Sequence, residues 1–133
     1  MYTQLLKREL TLRVEKIRKR MQECGLDACL IAGNSNIYYL SGRIFRGYVY
    51  VPLKGEATYY VIRPFELKGG DVVYIRKPEQ MPELMAAKGV ELPKKLGLEL
   101  DVLTYSDVVR LKNVFVDSEI INTSVMLRQC RMV

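Results

Sequence analysis

Asp27-Ala-Cys-Leu-Ile-Ala32 is an apolar run bounded by an aspartate and by Gly33, and its reading decides the fold. A strand with one wet face alternates apolar and polar residues. A run that is apolar at both parities suits a central strand covered on both faces, with helices above and below a sheet. The chain before it supplies one such layer. From Thr3 to Cys24 the residues Leu6, Leu10, Val14, Ile17 and Met21 recur at three- and four-residue steps, the period of a helix with one buried stripe. Gly25 fits the left-handed position past the helix end, and Lys19 and Arg20 suit the negative end of its macrodipole.

Beyond the run, Asn34-Ser-Asn-Ile-Tyr-Tyr-Leu-Ser-Gly42 reads as a turn that carries the chain off the strand, anchored by Ile37 and Leu40. The segments 47–52 and 58–62 are rich in β-branched and aromatic residues and predict an antiparallel hairpin around the loop Leu53-Lys-Gly-Glu-Ala57. After a Gly69-Gly70 break, 72–75 predicts a short strand; Pro82 opens a short helix to Lys88 that Gly89 closes. A further strand is expected over 95–100. Thr104 caps a helix running through Lys112, with Leu103 and Val108 spaced as a hydrophobic staple. Ser118–Ile121 is the last expected strand, and Asn122-Thr-Ser124 begins a helix that reaches Val133. Helices alternating with strands, plus one hairpin, give an α/β layer fold with a mixed sheet. At 133 residues this is one ordinary domain.

Composition narrows the chemistry. No run approaches the roughly 18 apolar residues of a membrane span, and Cys24, Cys29 and Cys130 are odd in number and widely spaced, so a reduced, cytosolic protein is expected. The sequence has no histidine, which removes the commonest general base near neutral pH and the commonest nitrogen ligand for zinc. Ser35, Ser41 or a cysteine could act as a nucleophile only with a lysine or carboxylate as base. Asp71, Asp101, Asp107 and Asp117 share no face that would gather them around a metal. Gly33 stands where a phosphate loop would, yet neither phosphate-loop pattern is present. The net charge of +6 would suit nucleic acid. But Lys7, Arg8, Arg13, Lys16, Arg18, Lys19 and Arg20 crowd the first helix, which favours a solvated or partner-facing surface.

With these elements placed, the chain resembles the N-terminal domain of the creatinase, prolidase and Xaa-Pro aminopeptidase family, the pita-bread metallopeptidases. The resemblance rests on the order and spacing of the helix text Arg13-Val-Glu-Lys-Ile-Arg-Lys-Arg-Met21, the strand Gly25-Leu-Asp-Ala-Cys-Leu-Ile31, and Asn36-Ile-Tyr-Tyr-Leu-Ser-Gly42. The hairpin Val49-Tyr-Val-Pro-Leu-Lys-Gly-Glu-Ala57, Leu96-Gly-Leu-Glu99 and Leu127-Arg-Gln-Cys-Arg-Met-Val133 complete it. It implies a three-layer α/β/α domain with a mixed β-sheet and ribonuclease-H-like topology over residues 1–121. Residues 122–133 would be the linker and helix start leading to a separate C-terminal metallopeptidase domain, absent here. In the family that domain binds two divalent ions (Mn, Co or Zn) through carboxylates and a histidine and hydrolyses Xaa-Pro bonds.

By resemblance, then, this chain is non-catalytic and holds no metal; its partners are its own catalytic domain and further copies in a homodimer or higher oligomer. Its role would be oligomerisation and gating of the active site. Asn36, Tyr38, Tyr39, Arg43, Phe45 and Arg46 are the substrate-gating candidates by position. Arg43 and Arg46 could offer bidentate donors to a peptide carboxylate, with Tyr38 as an amphipathic wall; in the competing reading Ile37 and Leu40 anchor a helical turn while the tyrosines pack on the sheet. Arg43 stands where the family often has an aromatic, which leaves the subclass open among prolidase, aminopeptidase P and creatinase. The alternative from another class is a free-standing basic α/β module that binds nucleic acid or a protein partner.

Overall fold

A computed structural model describes residues 2–67, 69 and 71–132. The chain runs α1 (Tyr2–Cys24), β1 (Ala28–Ile31), α2 (Asn34–Ser41), β2 (Arg46–Pro52), β3 (Thr58–Arg63) and β4 (Val72–Tyr74). A 3-10 turn over Pro78–Gln80 then leads to α3 (Met81–Ala87), β5 (Lys95–Leu98), α4 (Tyr105–Val114), β6 (Glu119–Asn122) and α5 (Ser124–Arg131). Gly70 and Val133, invoked above as part of a strand break and as the end of the last helix, lie outside the described residues.

β1 is buried at every position, as a run without alternation requires. It sits inside a mixed six-stranded sheet of order β4-β3-β2-β1-β5-β6. β1 pairs antiparallel with β2 and parallel with β5; β3 is antiparallel to β2, while β4 and β6 add parallel strands at the two edges. Strand parity sorts the core into two layers. Cys29 and Ile31 face Ile17 and Met21 of α1, Ile37 and Leu40 of α2, and Leu127 and Cys130 of α5. Ala28 and Leu30 face Met81 and Met85 of α3 and Leu111 and Phe115 of α4. The result is the expected α/β/α sandwich. Gly97 makes the first layer possible, because a Cβ there would collide with Thr123 and Cys29.

One local reading changes. Residues 34–41 are not a turn but a two-turn helix, closed by Gly42 in the left-handed conformation (φ 68°), whose N–H donates to the Tyr38 carbonyl at 2.8 Å. Within the segment 122–133, α5 is packed against the body of the domain, with Met126, Leu127 and Cys130 buried. The Thr104 cap forms as its sequence requires, its hydroxyl accepting from the Asp107 N–H at 3.1 Å. The basic face of α1 is partly structural. Arg18 donates to the Pro52 carbonyl at 3.0 Å and Arg20 to Gln129 at 3.0 Å, tying α1 to the hairpin and to α5.

Candidate functional site

The site forms where β1 and β5, neighbouring parallel strands, release their chains to opposite faces of the sheet: β1 into α2, β5 into α4. In open α/β sheets such a divergence leaves a crevice at the carboxyl ends of the strands, where ligands commonly bind. Here one wall of the crevice carries an internal anion. Glu99, next after β5, is fully buried. Its Oε1 accepts from the N–H groups of Ala32 (2.6 Å) and Gly33 (2.9 Å), and its Oε2 from Asn36 Nδ2 (2.6 Å).

This explains why 34–41 is helical. A helix start leaves backbone N–H groups without partners and carries partial positive charge. Gly33, the N-cap, has no side chain to help. Glu99 supplies the missing acceptor from the neighbouring strand, and a Cβ at Gly33 would stand 2.7 Å from Glu99 Oε2. The position resembling a phosphate loop therefore holds the chain's own carboxylate. The Glu99 carbonyl also accepts from the Val102 and Leu103 N–H groups at 3.0 Å each, which shapes the approach to α4.

The six candidates from the sequence separate into two sets. Asn36 is buried on Glu99. Tyr39 donates its hydroxyl to the Cys130 carbonyl at 3.0 Å and lies under the Arg13 guanidinium, 4.7 Å from the ring centroid, while Arg13 also donates to the Tyr39 carbonyl at 2.8 Å. Burial raises the Tyr39 phenol above its ordinary range, against the opposing pull of Arg13. Phe45 is buried with its ring 6.0 Å from that of Tyr59. Tyr38 (56% exposed), Arg43 and Arg46 face outward. Of the six, only Arg46 lines the crevice, a cleft of about 520 Å³ shared with Gly33, Arg63, Arg76, Thr104 and Arg110 among others.

Arg110 is bound bidentately to Glu79, with both contacts at 2.7 Å, and these hydrogen bonds hold the Glu79 carboxyl down to about 2. Glu99, Arg63 and Arg76 escaped the sequence reading. Glu99 left no signal, because it shares its parity with Lys95 and Gly97, which reads as the wet face of a strand whose apolar face is Leu96, Leu98 and Leu100.

The candidate nucleophiles are engaged elsewhere. Ser41 donates to the Ile37 carbonyl at 2.7 Å and accepts from the Arg43 N–H. Burial pushes the Cys29 thiol up to about 12, so it stays protonated. The donor set does not fit a paired metal centre either. Among the described residues no three His, Cys, Asp or Glu side chains come together, and both oxygens of the buried Glu99 are already engaged by N–H donors. Among the same residues, no helix is long and apolar enough to cross a membrane.

The fold is an α/β/α domain with a helix-capping carboxylate beside a switch-point crevice. Its sequence matches the Creatinase/Prolidase N-terminal domain over residues 13–133, and the chain belongs to that family. It is 36% identical over 103 residues to an Xaa-Pro dipeptidase of Pyrococcus horikoshii, an alignment covering 75% of this chain and 28% of that enzyme. The fold superposes on the N-terminal domain of the cytoplasmic peptidase PepQ from Mycobacterium tuberculosis H37Rv with a TM-score of 0.76 at 22% identity, covering 90% of this chain and 98% of that one. With the prolidase from Pyrococcus horikoshii OT3 the TM-score is 0.68 at 27% identity, over 91% of this chain and 35% of that one. The chain thus spans about a third or less of the full-length enzymes it matches.

Proposed function

We propose that this chain is the non-catalytic N-terminal domain of an Xaa-Pro dipeptidase- or aminopeptidase-like metallopeptidase of the cytoplasm, acting in oligomerisation and in gating an active site carried elsewhere. The observation that carries the reading is the 36% identity to an Xaa-Pro dipeptidase, of which the alignment covers only 28%. The sequence has no histidine, the buried carboxylate is committed to capping a helix, and the described residues gather no three potential metal ligands, which supports this reading. The hydrolytic centre and its two divalent ions, manganese, cobalt or zinc, then belong to a catalytic domain entered through residues 122–133.

In this reading the gating candidates divide the work. Asn36, Tyr39 and Phe45 fix the segment from α2 to β2 against Glu99, α5 and β3. Tyr38, Arg43 and Arg46 present an aromatic surface and guanidinium donors outward, suited to the carboxylate end of a short peptide or to a partner copy. The test is direct. The purified chain, incubated with an Ala-Pro dipeptide and manganese, releases no proline. Proline release that a chelator abolishes would overturn the proposal.

A further inference from the structure

Three arginines stand in one row at the end of the sheet that opens into the crevice. Arg46, the first residue of β2, lies opposite Arg63, the last of β3. β4 runs parallel to β3 with Tyr74 beside Val61, and Arg76 follows two residues past its end, in the bend where its N–H donates to Gln80 Oε1 at 2.6 Å. The first pairing is not what an uninterrupted ladder gives. Gly47 faces Val61, so Arg46 would face Ile62; a register shift between Arg46 and Gly47 sets Arg63 there instead. Gly47 permits this, since a Cβ in its place would drive into the Tyr60 carbonyl. Bulges of this kind redirect side chains, and they concentrate beside functional sites.

The row sets like charges side by side. Like charges directly opposite on paired strands are unfavourable. Arg13, Arg18, Arg20 and Arg110 each have a carboxylate partner, whereas among the described residues Arg46, Arg63 and Arg76 have none. All three line the cleft of about 520 Å³, within the size range of small-ligand sites. Its lining includes one carboxylate, Asp107, on α4. Glu99 already takes the N–H groups of Ala32 and Gly33, so the guanidiniums are the charged donors a ligand would meet, with Asn34, Tyr48 and Thr104 as neutral donors beside them. Neighbouring strands lie about 4.8 Å apart, so Arg46 and Arg63, paired across β2 and β3, can each meet a different oxyanion group.

We propose that the Arg46–Arg63–Arg76 row is a binding site for a small multivalent oxyanion, a molecule carrying two or more carboxylate or phosphoryl groups. The site shares Arg46 with the gating role proposed above but does not rest on it: Arg63 and Arg76 have no part in that reading, and binding is measured on this chain alone.

Isothermal titration of the chain with citrate and with pyrophosphate, at an ionic strength held constant with sodium chloride, tests the proposal. One saturable site is expected for at least one of the two anions, and which one binds identifies the chemistry as carboxylate or phosphoryl. Arg63→Gln and Arg76→Gln, each shown by circular dichroism to be folded, are expected to weaken binding about tenfold or more, the loss of a charge-assisted hydrogen bond. Arg8→Gln, on α1 and outside the cleft, is expected to bind as the unaltered chain does. Absence of saturable binding by both anions would overturn the site. So would an equal weakening in all three variants, which marks attraction to net positive charge alone.

Discussion

Glu99 illustrates how a single side chain can set the structure of a distant segment. A buried carboxylate without a basic partner is costly unless its lone pairs are filled by donors. Here two backbone N–H groups and the Asn36 amide fill them. Asn36→Ala removes the donor to Oε2 and is expected to cost about 2–3 kcal/mol, the scale of a hydrogen bond to a charged group. In a double-mutant cycle with Glu99→Gln, urea unfolding should give a coupling of about 1 kcal/mol or more. Strict additivity of the two substitutions would mean that the contact contributes nothing to stability. The same pair explains the role of Asn36 better than its position in the sequence did, since its amide points inward to Glu99 and not out to a ligand.

At the level of elements, the most regular patterns were legible and the long-range devices were not. The stripe of α1, the unalternating β1, the hairpin loop at 53–57 and the Thr104 cap each follow from residues close together in the chain. α2 did not, because Asn-Ser-Asn-Ile-Tyr-Tyr is poor helical text and the acceptor that stabilises it lies 66 residues beyond Gly33. The arginine row was hidden for a related reason. Arg46 was visible as a candidate, but its neighbour depends on a register shift that no local pattern announces. Gly47→Ala probes that irregularity: a Cβ against the Tyr60 carbonyl is expected to destabilise the domain by on the order of 3 kcal/mol. A denaturation midpoint equal to that of the unaltered chain would show that β2 and β3 can re-register without penalty.

For the whole molecule, the two core layers share the central sheet, and each holds a buried acidic group pushed strongly against ionisation. Burial raises the Cys29 thiol from 9.0 to about 12 in the layer under α1, and the Tyr50 phenol from 10.0 to about 12 in the layer under α3 and α4. Both folded values lie above the unfolded ones. The unfolded chain therefore loses these protons first, and stability falls as pH rises from about 9 towards 12, with no contribution from either group below that window. Urea midpoints measured between pH 8 and pH 11 should decline, and the decline should be shallower for Cys29→Ala; identical slopes would remove Cys29 from the account. One further consequence concerns the ends of the β1–β5 pair. Asp27 Oδ2 accepts from the Lys94 and Lys95 N–H groups at one end, and Glu99 Oε1 from Ala32 and Gly33 at the other. Strand ends ordinarily fray, and their amides are the first to trade protons with solvent. In a deuterium-exchange experiment the slow zone of this domain should therefore run past Ile31 and through Gly33, so that the bend leaving the sheet exchanges like its interior.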